Sequence, residues 1–455
     1  MLTLNRSSHP VRRPSASPLR RAAAAWALLD PPVRRALAVW ALLVAGSFAA
    51  GGILLALGVI RIDYLPPLHG HVRAPGAGLL APAAFGAAAV RFLPRLTART
   101  RFGTALLAAY ACALAWTVLL AVSGDGLAAP FTHKEEYLAV LPAVDGHPLR
   151  WLAAFTRDLP AYPTHVRGHP PLPVLVVWAL DAAGLRGPLW AAVVVVAAGC
   201  SAGTAVALTV RRLAGQDAAR RALPYLALVP ASVWIATSMD ALFAAAGAWG
   251  VVLLVLGRGR VAGAAGGLAA GLLLGSLPYL SYGLVPYLLI PAAVAVAVRP
   301  PRAALAAALA GAAAVTAAFA WAGFLWPAGV IATHAEWAAD PGAARPYLYF
   351  LVGDLAVLAL VTGPATAAGL AGRVPPRVAV AVAAAVAAVL ALDVSGVTRG
   401  EVERIWLPFA LWVGLAGAFA GGHRDDAGTA ARWDRWLLAQ AVTGLLLQAL
   451  VVSPW

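Results

Sequence analysis

The sequence predicts an all-α polytopic membrane protein of about 13 transmembrane helices, and three observations carry that expectation. Of 455 residues, 62% are hydrophobic and only 12% charged, against roughly half and a quarter in soluble domains. Apolar runs of about bilayer-spanning length recur along the chain, divided by Arg, Pro and Gly. The net charge of +15, from 34 basic and 19 acidic residues, is scattered between those runs, as in loops facing anionic headgroups and unlike a nucleic-acid module. A soluble globular protein and a nucleic-acid binder are therefore disfavoured, and the lipid bilayer is the first expected partner.

Residues 1–35 carry seven arginines before any long apolar run and read as a cytoplasmic basic tail leading into an uncleaved first span. A membrane domain over 36–452 follows. Its expected spans are 36–60, 76–93, 103–123, 188–210, 222–238, 240–257, 261–277, 284–298, 303–326, 347–371, 377–393, 405–421 and 435–452. Several are short, and Pro82, Pro230, Pro286 and Pro291 are placed to kink or break them. Gly263, Gly267, Gly271 and Gly275 recur every fourth residue, so they share one helix face and let a second helix approach closely. Cys112 and Cys200 lie in apolar runs with no paired spacing, which gives neither a disulfide framework nor a zinc site.

The segment 124–187 is too long for a simple connection and is expected to fold on the membrane surface as an outer loop. Its stretch 170–183 would be re-entrant or juxtamembrane, and Leu149 to Leu159 an interfacial helix presenting Trp151 and Phe155 to lipid. With the N-terminus inside and 170–183 not crossing, twenty-four of the 34 bases fall inside, as positively charged loops tend to do. Fourteen of the 19 acids and seven of the nine histidines fall outside. Proton-transfer and ligand chemistry uses those residue types, so the outer side is the expected working face.

Four polar motifs stand at that face. His133-Lys134-Glu135-Glu136-Tyr137 joins two carboxylates to the only lysine. A partly desolvated carboxylate there can serve as a general base, with Lys134 or an arginine countering phosphate. Helical neighbours point about 100° apart, so only one glutamate would face a given cleft. The motif can also be a solvated run capping the next helix. His165-Val166-Arg167-Gly168-His169-Pro170-Pro171-Leu172 puts two histidines before a proline-initiated helix, and the prolines argue against a continuous metal-binding helix face. Ser238-Met239-Asp240 places a carboxylate at a span boundary, either as an N-terminal cap shared with Ser238 or lining a cleft. Gly400-Glu401-Val402-Glu403-Arg404-Ile405-Trp406 offers Arg404 to a phosphate and Trp406 to the headgroups, or simply flanks a span with charge. Glu336, Asp340, Arg345 and Tyr347 form a weaker outer group, and Asp354 is a further cavity candidate.

Taken in order, Glu135-Glu136-Tyr137, His169-Pro170-Pro171-Leu172, Arg211-Arg212-Leu213 and Ser238-Met239-Asp240-Ala241-Leu242, the chain resembles the GT-C glycosyltransferases. Its pattern is most similar to the branch of protein O-mannosyltransferases and bacterial lipid A aminoarabinose transferases. The likeness covers residues 103 to 260. It implies GT-C-like juxtamembrane helices in the large outer loop and a polyprenyl-phosphate sugar as donor. The acceptor would be a glycan, lipid or protein of the cell envelope, and the active site would lie on the extracytoplasmic side of a bacterial cell membrane. Carried onto this chain, the catalytic base is Glu135 or Glu136. Lys134, Tyr137, His165, Arg167, His169, Asp240, Glu401, Glu403 and Arg404 bind substrate, and no residue is assigned to a metal, although a divalent metal stays an open alternative. The chain departs from the family in having Glu-Glu where the acidic pair is typically Asp-Glu, and in two extra N-terminal spans. The rival reading of the same residues is a secondary transporter or lipid flippase, since interrupted helices and intramembrane acids occur there too.

Overall fold

A computed structural model describes residues 26, 27, 29–60, 65–420 and 434–453. The helices are α1 (Pro31–Ala56), α2 (Leu80–Arg99), α3 (Phe102–Val122), α4 (Pro148–Asp158), α5 (Leu172–Ala182), α6 (Pro188–Ala214), α7 (Gln216–Ala227), α8 (Asp240–Leu256) and α9 (Arg260–Leu280). They continue with α10 (Leu289–Val298), α11 (Arg302–Trp321), α12 (Trp326–Ala339), α13 (Tyr347–Thr362), α14 (Pro364–Leu370), α15 (Pro376–Ser395), α16 (Leu407–Gly414) and α17 (Arg435–Leu450). Strands β1 (His71–Val72) and β2 (Val451–Val452) pair antiparallel and tie the segment after α1 to the end of α17. Most of the basic tail lies outside the described residues.

The chain is an all-α multi-pass membrane protein, but it does not have 13 spans. Among the described residues seven helices are long and apolar enough to cross a bilayer, namely α1, α2 with its preceding turn, α3, α6, α9, α11 and α15. An eighth is counted if α13 and α14, bent by 98°, form one broken span. Proline and glycine account for part of the difference. The expected span 222–238 ends as a helix at Ala227 and restarts as a 3₁₀ turn at Pro230. The span 284–298 opens in 3₁₀ turns at Pro286 and keeps ten helical residues. Residues 347–371 bend at Gly363, whose φ is 81°, followed by Pro364. Of the expected span 405–421, residue 421 lies outside the described residues and the rest includes an eight-residue helix and a 3₁₀ turn, while 240–257 and 435–452 fall short at 17 and 16 residues.

Burial sorts these helices into a rim and a centre. Along α1 and α11 few residues are covered, and Leu42, Ile53 and Leu309 stay exposed for lipid contact. The 17-residue α8 packs against α6, α9 and α16, and twelve of its residues are buried. The largest fully buried side chains of the protein include Trp116, Trp234, Trp406, Trp412 and Tyr287, of which Tyr287 lies against Gly247 of α8. Two of these indoles meet the rule that a buried N–H needs a partner: Trp116 Nε1 donates to Ser232 Oγ at 2.8 Å and Trp412 Nε1 to the Tyr287 hydroxyl at 2.8 Å. The four-residue glycine repeat of α9 faces α11. A Cβ at Gly267 or Gly271 would overlap the carbonyl oxygens of Ala304 or Ala308, and one at Gly275 would lie 2.6 Å from the Ala312 Cα.

Two placements differ from expectation because the polar segments bury apolar surface against protein. Trp151 and Phe155 of α4 do not face lipid. They are 5% and 0% exposed, stacked with Tyr162 and, through Phe155, against Phe324. Trp406 is fully buried and anchors no headgroup.

Candidate functional site

Glu136, His165, Asp240, Glu401 and Arg404 come from four separated stretches of sequence and meet in one cluster. Glu136 has extended backbone (φ −84°, ψ 163°) just before the 3₁₀ turn Tyr137–Val140. Extended backbone sends neighbouring side chains to opposite sides, and the two glutamates part accordingly. Glu136 is 3% exposed and turns inward. Glu135 turns away and accepts the Thr164 backbone N–H at 2.8 Å, and that hydrogen bond, aided by Lys134, holds its carboxyl below the usual range despite some desolvation.

His165 stands in the one-turn helix Thr164–Arg167 between a carboxylate and a guanidinium. Its Nδ1 is 2.8 Å from Glu136 Oε1 and its Nε2 is 3.3 Å from Arg404 Nη2. A guanidinium only donates, so these partners select the neutral tautomer with the proton on Nδ1, donating to Glu136 while Nε2 accepts from Arg404. The second carboxylate oxygen of Glu136, Oε2, is buried without a hydrogen-bond partner. His169 lies alongside, its Nδ1 2.8 Å from the His165 carbonyl oxygen and its ring edge-on to Tyr137 at 5.8 Å. Burial, with Arg404 nearby, pushes His169 down to about 4, so it is neutral at pH 7. Burial, reinforced by Glu136 and Asp240, holds the Tyr137 phenol well above its ordinary value.

Arg404 binds the acids together. It donates from Nη1 to Asp240 Oδ2 at 3.2 Å and from Nη2 to Glu401 Oε2 at 2.9 Å. Burial opposes its charge, yet Glu401 and Asp240 hold its pKa above the ordinary value. Asp240 is the first residue of α8, not its cap. Met239 is the N-cap and makes no side-chain cap bond, whereas the Asp240 carboxylate takes Arg404 and the Ser238 hydroxyl, the latter at 3.0 Å. Glu401 also faces Arg345 Nη1 and His69 Nδ1, each at 3.6 Å. Desolvation alone would raise its pKa, but Arg404, His69 and Arg345 bring it down to about 2. Glu401 is left-handed at φ 64°, a conformation costing a non-glycine residue roughly 1–2 kcal/mol, and these three partners hold it there. Glu403, fully buried, is different. Burial raises it to about 8, and backbone amides of its own residue and His69 offset only part of that.

The remaining candidates lie at the margin. Lys134 is exposed and outside the cluster. Arg167 pairs with Glu336 at 3.2 Å. Arg399 lies over the rings of Trp337 and Tyr347 and donates to the carbonyl oxygens of Ala343 and Arg345. Asp340 accepts from Gly342 within its own turn, and the buried Asp354 accepts from the Gly400 N–H at 3.1 Å. Among the described residues no group of three or more His, Cys, Asp or Glu is placed to hold a metal ion.

Sequence reading did not single out His69. Burial takes it down to about 3, against the pull of Glu401. Its one local signal is the run Pro66-Pro67-Leu68-His69-Gly70-His71, a polar interruption between two apolar stretches.

The cluster lies at the end of the bundle opposite a set of arginines. Asp240 opens α8, and Arg212 Nε donates to the carbonyl of Val255 near the other end of α8 at 2.9 Å. Seventeen helical residues separate those ends by about 25 Å. Around Arg212, Arg211 and Arg220 lie over the Phe102 ring, and Arg220 donates to the Thr97 carbonyl. No known protein family, curated protein or solved structure matches the chain.

Proposed function

We propose that the protein is a GT-C-type glycosyltransferase that moves a sugar from a polyprenyl-phosphate donor to an envelope acceptor on the extracytoplasmic face of the membrane. The observation that carries this reading is the buried chain Glu136–His165–Arg404, closed by Asp240 and Glu401. In it a carboxylate is oriented by a histidine on one oxygen and keeps an unpartnered buried oxygen on the other. That oxygen suits a general base. It takes the proton of an acceptor hydroxyl, the acceptor oxygen forms its bond to the anomeric carbon, and the bond from that carbon to the donor phosphate oxygen breaks. Polyprenyl phosphate leaves with the electron pair, and Arg404 and Arg345 supply positive charge at that end by loosening their hold on Glu401. The outward orientation is supported by the arginines gathered at the far end, which the positive-inside rule puts in the cytoplasm.

Transfer from a radiolabelled polyprenyl-phosphate sugar, assayed on purified full-length protein, tests the assignment. General-base catalysis contributes about 100-fold or more, so Glu136→Gln is expected to lose at least that factor. Glu135→Gln, whose carboxylate serves the Thr164 amide, is expected to retain most turnover. Full activity in Glu136→Gln would reject this base.

A second reading, a proton-coupled transporter or flippase, draws on Asp354 and Asp393, which are buried within apolar membrane helices. Both Asp393 oxygens lack a hydrogen-bond partner, and acids so placed often belong to proton paths. Substrate movement in proteoliposomes without a covalent product would favour it.

A further inference from the structure

At the arginine-rich end of the bundle, three spans have their ends together. α2 finishes at Arg99, α3 begins at Phe102, and α6 carries Arg211 and Arg212 in its last turn. The short helix α7 packs against all three. Span ends mark the depth of the lipid headgroups, so side chains gathered here face headgroups rather than acyl chains.

One ring organises two of the cations. Phe102 is buried, and the guanidinium carbons of Arg211 and Arg220 stand 4.6 Å and 5.7 Å from the centre of its ring. Arg220 is half-buried and held by donation from Nη1 to the Thr97 carbonyl oxygen, whereas Arg211 is exposed. Like charges sharing one ring repel each other, and the face of a phenyl group offers each only a modest attraction. No carboxylate relieves that repulsion. Among the described residues, Arg99, Arg101, Arg211, Arg220 and Arg221 form no ion pair. Asp217 opens α7 within a turn of Arg220 but does not pair with it. The Asp434 carboxylate is taken by the Tyr225 hydroxyl and by the Trp436 and Leu437 N–H groups.

An acidic phospholipid supplies the missing charge. Its phosphodiester oxygens accept from guanidinium groups, and Phe92 and Leu96, exposed on the last two turns of α2, offer its acyl chains an apolar surface. A zwitterionic choline headgroup would instead bring a further cation to a cationic corner. We infer that the corner formed by Arg211, Arg220 and Phe102 binds an acidic phospholipid of the leaflet at this end. That binding depends on neither the polar cluster at the opposite end nor any transfer reaction.

Native mass spectrometry of the full chain in detergent micelles, titrated with dioleoylphosphatidylglycerol, dioleoylphosphatidylcholine or glycerol 3-phosphate, tests the site. A basic residue near an anionic lipid surface is worth about fivefold in affinity, so phosphatidylglycerol is expected to bind about tenfold or more tighter than phosphatidylcholine. Arg211→Gln should weaken it about fivefold, and Arg211→Gln with Arg220→Gln should erase the preference, with circular dichroism unchanged. Arg258→Gln with Arg260→Gln deletes the same charge from exposed positions between α8 and α9 and is expected to leave the preference intact. Equal affinity for the two lipids would overturn the inference. So would an equal loss in both double variants, the mark of diffuse attraction, or displacement of the lipid by glycerol 3-phosphate, the mark of a soluble-phosphate site. Should the Arg211/Arg220 double variant unfold, the single change decides, and undiminished phosphatidylglycerol binding in Arg211→Gln refutes the site.

Discussion

Replacing Arg404 by methionine removes a cation that touches Asp240, Glu401 and His165 together. At an effective dielectric of about 20, two unit charges 3.2 Å apart attract by roughly 5 kcal/mol, and at 2.9 Å by slightly more. Desolvating three ions offsets much of this, and the net effect of removing one partner from a buried pair is typically about 3–5 kcal/mol, because the other charge is left uncompensated. Asp240 is the more exposed to this effect, since its side chain is only 5% accessible and its other side-chain partner is neutral Ser238. Arg404→Met is therefore expected to lose about 3–5 kcal/mol of unfolding free energy in mixed micelles titrated with denaturing detergent at pH 7. Adding Asp240→Asn removes the stranded charge, so the double variant should recover part of the loss, with a coupling energy above about 1 kcal/mol. A single-variant loss within about 0.5 kcal/mol, or a cycle additive within that margin, would refute the claim that this ion network holds the site together.

Other outcomes follow from the same structure. Glu403 has its folded pKa raised to about 8 from an ordinary 4.5. Between those values the folded state holds a proton that the unfolded state has released, so stability contributed by the neutral acid is lost as pH rises. Glu403→Gln is thus expected to match wild type below pH 4.5 and to gain on it progressively up to about pH 8, as read from unfolding midpoints across pH; a gain that is flat with pH would contradict this. Glu401, pulled down to about 2, acts in the opposite sense, and its contribution should fade as pH falls from 4.5 toward 2. On α9, Gly271→Val forces α11 away, because even a Cβ would overlap the Ala308 carbonyl. Overpacking of this kind costs about 1–3 kcal/mol, whereas the same change at Gly103, where a Cβ meets open space, should cost well under 1 kcal/mol if packing is the cause.

The multi-pass membrane class was legible in the sequence because lipid exposure is a matter of composition, and long runs such as 36–60 and 377–393 have no other use for so much apolar surface. The α9 glycine face was legible because a four-residue period is a property of one helix. Span number was not, since the core helix α8 and the lipid-facing α11 are similarly apolar, and they differ in where each helix ends and in what covers it. The polar motifs that contribute to the cluster could be named one by one from residue type. That Glu136 turns in while Glu135 turns out depends on backbone conformation at the 3₁₀ turn, and that Arg404 meets Asp240 depends on contacts 164 residues apart. His69 joins through Glu401, with nothing in its own neighbourhood to announce the partner. Local sequence thus determined which groups seek lipid and which seek a charge or hydrogen-bond partner. The tertiary structure alone decided which partner each one finds, because buried electrostatics act over a few ångströms of space rather than along the chain.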